Sequence, residues 1–122
     1  MKPELITVVE TASFVTDAKA CMSDEERTSA INMIAANPEC GDIVPGGGGI
    51  RKVRFAIGGR GKSGGVRIIY YFHNVRVPVF LLAVFAKNEQ ANLTRAETNL
   101  LGNTAKMLAH KYGEYQHGTD SF

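Results

Sequence analysis

Three runs of β-branched and aromatic residues, "IRKVRFAI" (Ile50–Ile57), "VRIIYYF" (Val66–Phe72) and "VFLLAVFA" (Val79–Ala86), follow one another with only short connections between them. Runs of this composition read as strands. Connections this short leave no room for a crossover, so successive strands must be antiparallel neighbours. The last run is apolar throughout, as expected of a strand covered on both faces. The first alternates: Val53, Phe55 and Ile57 turn to the core, and Lys52 and Arg54 share the other face, about 7 Å apart along the strand. Arg67 opens the second strand on the face of Ile69 and Tyr71, so pairing around the connection brings it across from Lys52 or Arg54.

The flanks supply helices. "ELITVV" (Glu4–Val9) reads as a short first strand, and the stripe Phe14, Val15, Ala18, Cys21 and Met22 has helical spacing. Ser23 followed by Glu26 forms a capping box that opens a second helix, which Asn37-Pro38 should end. Thr94 and Glu97 repeat the box and open a third helix with Leu100, Leu101, Ala105 and Leu108 as apolar positions. From Gly113 onward periodicity stops, and residues 113–122 read as a frayed tail. The order is that of a single α+β domain over residues 1–122. It has a small, mostly antiparallel sheet of about four strands, two N-terminal helices and one C-terminal helix, with the helices expected on one face. No apolar run approaches the roughly 20 residues needed to span a bilayer. No signal-peptide pattern is seen at the start. Cys21 and Cys40 have no metal spacing and read as two reduced thiols of a cytoplasmic protein.

Net charge is only +2, but it is unevenly distributed. Residues 43–88 contain eight bases (Arg51, Lys52, Arg54, Arg60, Lys62, Arg67, Arg76 and Lys87) and no acid. Such segregation predicts a positive face suited to a phosphate-rich partner. Within it, "AIGGRGKSGG" (Ala56–Gly65) superficially matches a nucleotide-binding loop. That loop works by leading from a strand into a helix whose N-terminus meets the phosphates. Here a strand follows instead, so the stretch reads as a cationic hairpin tip carrying Arg60 and Lys62, able to grip a sugar-phosphate backbone.

A cationic site without metal ligands suits one reaction in particular. An RNA 2′-hydroxyl can attack its own 3′-phosphate because the two are already tethered. The protein need only orient the backbone, assist proton transfer and stabilise charge on the transition state. No cofactor or metal is expected.

"GGGGIRKVRFA", the glycine–lysine connection, "GGVRIIYYF" and "FLLAVFAKNEQANLT" together resemble the RelE/HigB superfamily of toxins from bacterial type II toxin–antitoxin systems. Similarity is greatest to the HigB branch, with its glycine-rich lead-in, basic hairpin and Lys-Asn-Glu turn. The resemblance covers about Pro38 to Thr94 closely. It implies a RelE-like fold and a ribosome-dependent mRNA endonuclease that inhibits translation. It also implies an antitoxin partner of helix-turn-helix, HigA type, with ribosome and mRNA as the other partners, DNA reached only through the antitoxin, and no membrane. Carried over, it makes Lys52, Arg54 and Arg67 the catalytic residues. Arg51, Arg60, Lys62, Arg76, Lys87 and Asn88 become contacts to RNA or ribosome, with Tyr71 a possible base-stacking residue. Some relatives carry a further arginine after the last strand's lysine, where this chain has Asn88, and a tyrosine where it has Thr94. The alternative is a non-catalytic protein of the same fold that binds RNA, ribosome or antitoxin without cutting.

Overall fold

The computed structural model describes residues 5–58, 65–87 and 92–120, with side chains to residue 113. The elements in chain order are β1 (Val8–Glu10), α1 (Ala12–Cys21), α2 (Asp24–Ala36), β2 (Asp42–Ile43), β3 (Ile50–Phe55), β4 (Val66–Tyr71), β5 (Val79–Ala86) and α3 (Arg95–Asp120). They build one five-stranded sheet in the order β1-β5-β4-β3-β2. β2–β3, β3–β4 and β4–β5 are antiparallel, and β1 joins β5 in parallel. The sheet is thus mostly antiparallel, as expected, with one strand more. β2 is only two residues long and leaves no periodic trace in the sequence.

Helix starts follow the side chains that cap them. Ser23 Oγ accepts from the Glu26 amide, and Glu26 Oε1 accepts from the Ser23 amide. The other carboxylate oxygen of Glu26 accepts from Gly58 N–H at 3.0 Å, tying α2 to the end of the first hairpin strand. Thr94 and Glu97 make the same reciprocal cap for α3. Thr11 caps α1 and donates its hydroxyl to the Leu81 carbonyl at 2.8 Å, fastening the helix to the middle of the sheet. α3 runs through Gly113 to Asp120.

The helices lie on both faces, not one. Phe14, Ala18, Ala30 and Ile34 of α1 and α2 pack with Ile68, Tyr70, Leu81 and Val84 on one face. Ala105 of α3, with partly buried Leu101 and Leu108, packs with Ile50, Ile69, Tyr71, Phe80 and Leu82 on the other. This arrangement explains why all six residues of β4 are buried. Full burial of each large apolar side chain stabilises the fold by about 1.5–3 kcal/mol.

α3 also touches the glycine-rich loop. A Cβ on Gly102 would stand 2.5 Å from the Gly47 carbonyl oxygen, so helix and loop backbones touch. Gly49, at φ +109°, takes a left-handed conformation that L side chains rarely adopt. Among the described residues, no helix is long and apolar enough to cross a membrane. Cys21 and Cys40 are both free thiols.

Candidate functional site

The β3–β4 register pairs Arg54 directly with Arg67, and Lys52 with Ile69. Antiparallel partners project to the same face, so both arginines and Lys52 stand on the α3 side of the sheet. They line an open groove of about 570 Å³ together with Lys87, Asp42 and Asn92. β3 supplies Lys52 and Arg54, β4 supplies Arg67, the turn after β5 supplies Lys87, and Asn92 precedes α3.

Electrostatics in the groove are unbalanced. Among the described residues neither Arg54 nor Arg67 is in an ion pair; the bridges present are Arg27–Glu10 and Arg51–Glu39. Arg67 is only 7% exposed, and among the described residues its guanidinium donates one hydrogen bond, a long one of 3.4 Å to the Val66 carbonyl. Burial, and then the charge of Arg54, lower its pKa from the ordinary arginine value. An arginine keeps its charge even so. Two facing guanidiniums with no ion pair among the described residues favour an anion between them. Lys52 is steadied differently, donating from Nζ to Asn92 Oδ1 at 3.3 Å.

Asp42 was not visible from the sequence pattern. It is the β2 residue opposite Lys52, and so borders the basic groove. It lies at the edge of the acid-rich N-terminal third, and only the two-residue strand β2 reveals where it goes. Asn92 likewise carried no signal beyond standing two residues before a helix cap. Its position depends on how α3 docks. The loop that carries Asp42 is anchored by buried Tyr70, whose hydroxyl accepts from Gly41 N–H at 2.8 Å and donates to the Pro38 carbonyl at 2.7 Å.

Three expected contact residues stand elsewhere. Arg51 turns to the opposite face, where it donates to the Gly41 carbonyl at 2.8 Å and pairs with Glu39. Strand alternation separates it from Lys52, so its charge holds a loop instead of facing the groove. Arg76 sits in the β4–β5 turn, at the end of the sheet away from Arg67. Tyr71 is 7% exposed within the α3-side core, its hydroxyl hydrogen-bonded to His73 Nδ1 at 3.2 Å, so its ring is not open to stack on a base. Arg60, Lys62 and Asn88 lie outside the described residues. Among the described residues, no group of three or more His, Cys, Asp or Glu could hold a metal ion.

Known proteins with this pattern are informative. The family model described as the RelE toxin of the RelE/RelB toxin–antitoxin system matches residues 6–116. The fold is similar to that of a double arginine-to-alanine mutant of Escherichia coli toxin RelE in the free state. The TM-score is 0.52 at 13% identity, covering 88% of this chain and 97% of that one.

Proposed function

This chain belongs to the RelE toxin family of RelE/RelB toxin–antitoxin systems, and from that membership we propose that it is a ribosome-dependent endoribonuclease that cleaves mRNA and stops translation. One observation carries the reading: Arg54 and Arg67 face each other, neither in an ion pair among the described residues, in an open groove where Lys52 and Lys87 outnumber the one lining carboxylate, Asp42. In this reading the groove takes the RNA phosphate. The 2′-oxygen attacks the adjacent phosphorus as its proton is removed, the bond from phosphorus to the 5′-oxygen breaks, and that oxygen takes up a proton. The products are a 2′,3′-cyclic phosphate and a 5′-hydroxyl. Lys52, Arg54 and Arg67 orient the phosphate, assist the proton transfers and stabilise the extra negative charge. A well-aimed donor to such charge is worth about 3–4 kcal/mol.

Features shared with the HigB branch, the tetraglycine lead-in and the Lys87-Asn88-Glu89 turn, support a HigB-type toxin. Its antitoxin would then carry a helix-turn-helix, be encoded beside it, and be its only link to DNA. Its place of action is the cytoplasm, at the ribosome.

The test is cleavage of ribosome-bound mRNA in a reconstituted translation system. Wild type is expected to cut, Arg67→Ala to lose cutting by at least about 100-fold, and EDTA added to a pre-assembled complex to leave cutting intact. Intact mRNA with the wild-type protein would sink the reading. A second reading has its own support. Thr94, where some relatives have tyrosine, is a helix cap whose hydroxyl is committed to the Glu97 amide. A protein that grips RNA without cutting would bind the ribosome in the same assay and leave the message whole.

A further inference from the structure

The row containing Arg54 and Arg67 does not end at β4. Arg67 pairs on its other side with Phe85 of β5, so Arg54, Arg67 and Phe85 form one line across three neighbouring strands. Adjacent strands are about 4.8 Å apart, and paired residues share a face. Phe85 therefore stands beside Arg67 in the sheet, on the α3 side.

Its burial sets it apart. β5 is otherwise closed, yet Ala83 and Phe85, both on this face, are only partly buried. The other β-strand aromatics of this face, Tyr71 and Phe80, are 7% and 5% exposed at the far end of the sheet. Phe55 turns to the opposite face, with α1 and α2. A large aromatic ring is thus left partly exposed next to two cations that form no ion pair among the described residues. Sites for single-stranded nucleic acid combine these two parts: a cationic track for the backbone and an aromatic platform for a base.

We infer that Phe85 is a base-stacking residue, receiving a nucleobase of single-stranded RNA next to the phosphate held by Arg54 and Arg67. The inference rests on the reading of the groove as an RNA site. Stacking on a ring tolerates any base, so Phe85 contributes affinity and placement rather than sequence choice.

The chain contains no tryptophan, so F85W introduces a single indole as a reporter. Titrate this variant with a short 2′-O-methyl RNA, which binds but cannot be cut, and with the same strand made abasic. The expected result is quenching of indole fluorescence by the base-bearing strand and little by the abasic one. In parallel, F85L keeps apolar volume without a π-face and should weaken RNA binding by about 5- to 100-fold, with an unchanged melting temperature. F85Y should bind like wild type. Equal quenching by both strands, or F85L binding as tightly as wild type, overturns the inference. Arg67→Ala separates the two levels. If it loses binding while F85L does not, only the stacking role fails; if neither loses binding, the RNA reading of the groove fails with it.

Discussion

Arg67 is 7% exposed and faces Arg54, and burial first, the neighbouring charge second, depress its pKa. A base whose folded pKa is lowered holds its proton against the preference of the fold. That cost is constant at neutral pH and eases only as pH climbs towards the folded value, so no neutral-pH dependence of stability arises from it. An apolar replacement removes the cost altogether. Arg67→Met should therefore melt at the same temperature as wild type or higher while losing at least about 100-fold in cleavage, as read by calorimetry and the ribosome assay together. Tyr70 gives the opposite case. Burial is the main cause raising its pKa well above the ordinary tyrosine value. Above about pH 10 the unfolded chain releases the phenol proton and the folded chain keeps it, so stability falls as pH rises, by up to about 1.4 kcal/mol per pH unit. Tyr70→Phe should remove that slope and cost about 1–3 kcal/mol at neutral pH, because the Gly41 amide and Pro38 carbonyl lose their partner. Urea titrations at several pH values measure both. At this scale the sequence was readable where alternation alone decides, as for Lys52, Arg54 and Arg67. It was unreadable where docking decides: Tyr71 and Arg51 had the right residue types but the wrong surroundings.

The two capping boxes and the three long strands were legible because each is written in a few adjacent residues: Ser23 with Glu26, Thr94 with Glu97, and the β-branched runs from residue 50. β2 was not legible, because two residues have no period, and only its pairing with Lys52 and Arg51 defines it. The fit of α3 onto the loop of residues 46–49 belongs to the same class of fact. Nothing local requires a glycine at position 102; the requirement comes from Gly47 across the contact. Gly102→Ala gains about 1 kcal/mol in helix propensity, yet its new Cβ would collide with the Gly47 backbone. Overpacking of this kind costs about 1–3 kcal/mol. The variant is expected to be no more stable than wild type in thermal melts, and to lose RNA affinity as Asn92, just ahead of α3, shifts relative to Lys52. An increase in melting temperature with full affinity would show that α3 moves without consequence.

Across the whole molecule, the contrast between an acid-free middle and acidic flanks was visible at once, and it pointed to a cationic face. The placement of the helices was misjudged, although β5, apolar at every position, already implied cover on both sides. The groove collects four of the eight central bases: Lys52, Arg54, Arg67 and Lys87. If each neutralises one phosphate of a single strand, at about 0.7 per charge, the logarithm of RNA affinity should fall against the logarithm of salt with a slope of about −3. Arg67→Ala should flatten it by about 0.7, and a salt-independent affinity would contradict the backbone-gripping mode. The parallel pairing of β1 with β5 has a consequence for biogenesis. Val8 pairs with Val79 and Thr11 bonds to Leu81, so the first strand emerging from a ribosome has no mate until some seventy more residues have been made. β5 is also the strand between β1 and β4, and it is the last to arrive. A nascent chain stopped short of it carries Lys52, Arg54 and Arg67 but no closed sheet to hold them. The groove of Lys52, Arg54 and Arg67 can therefore be completed only once β5 has been made.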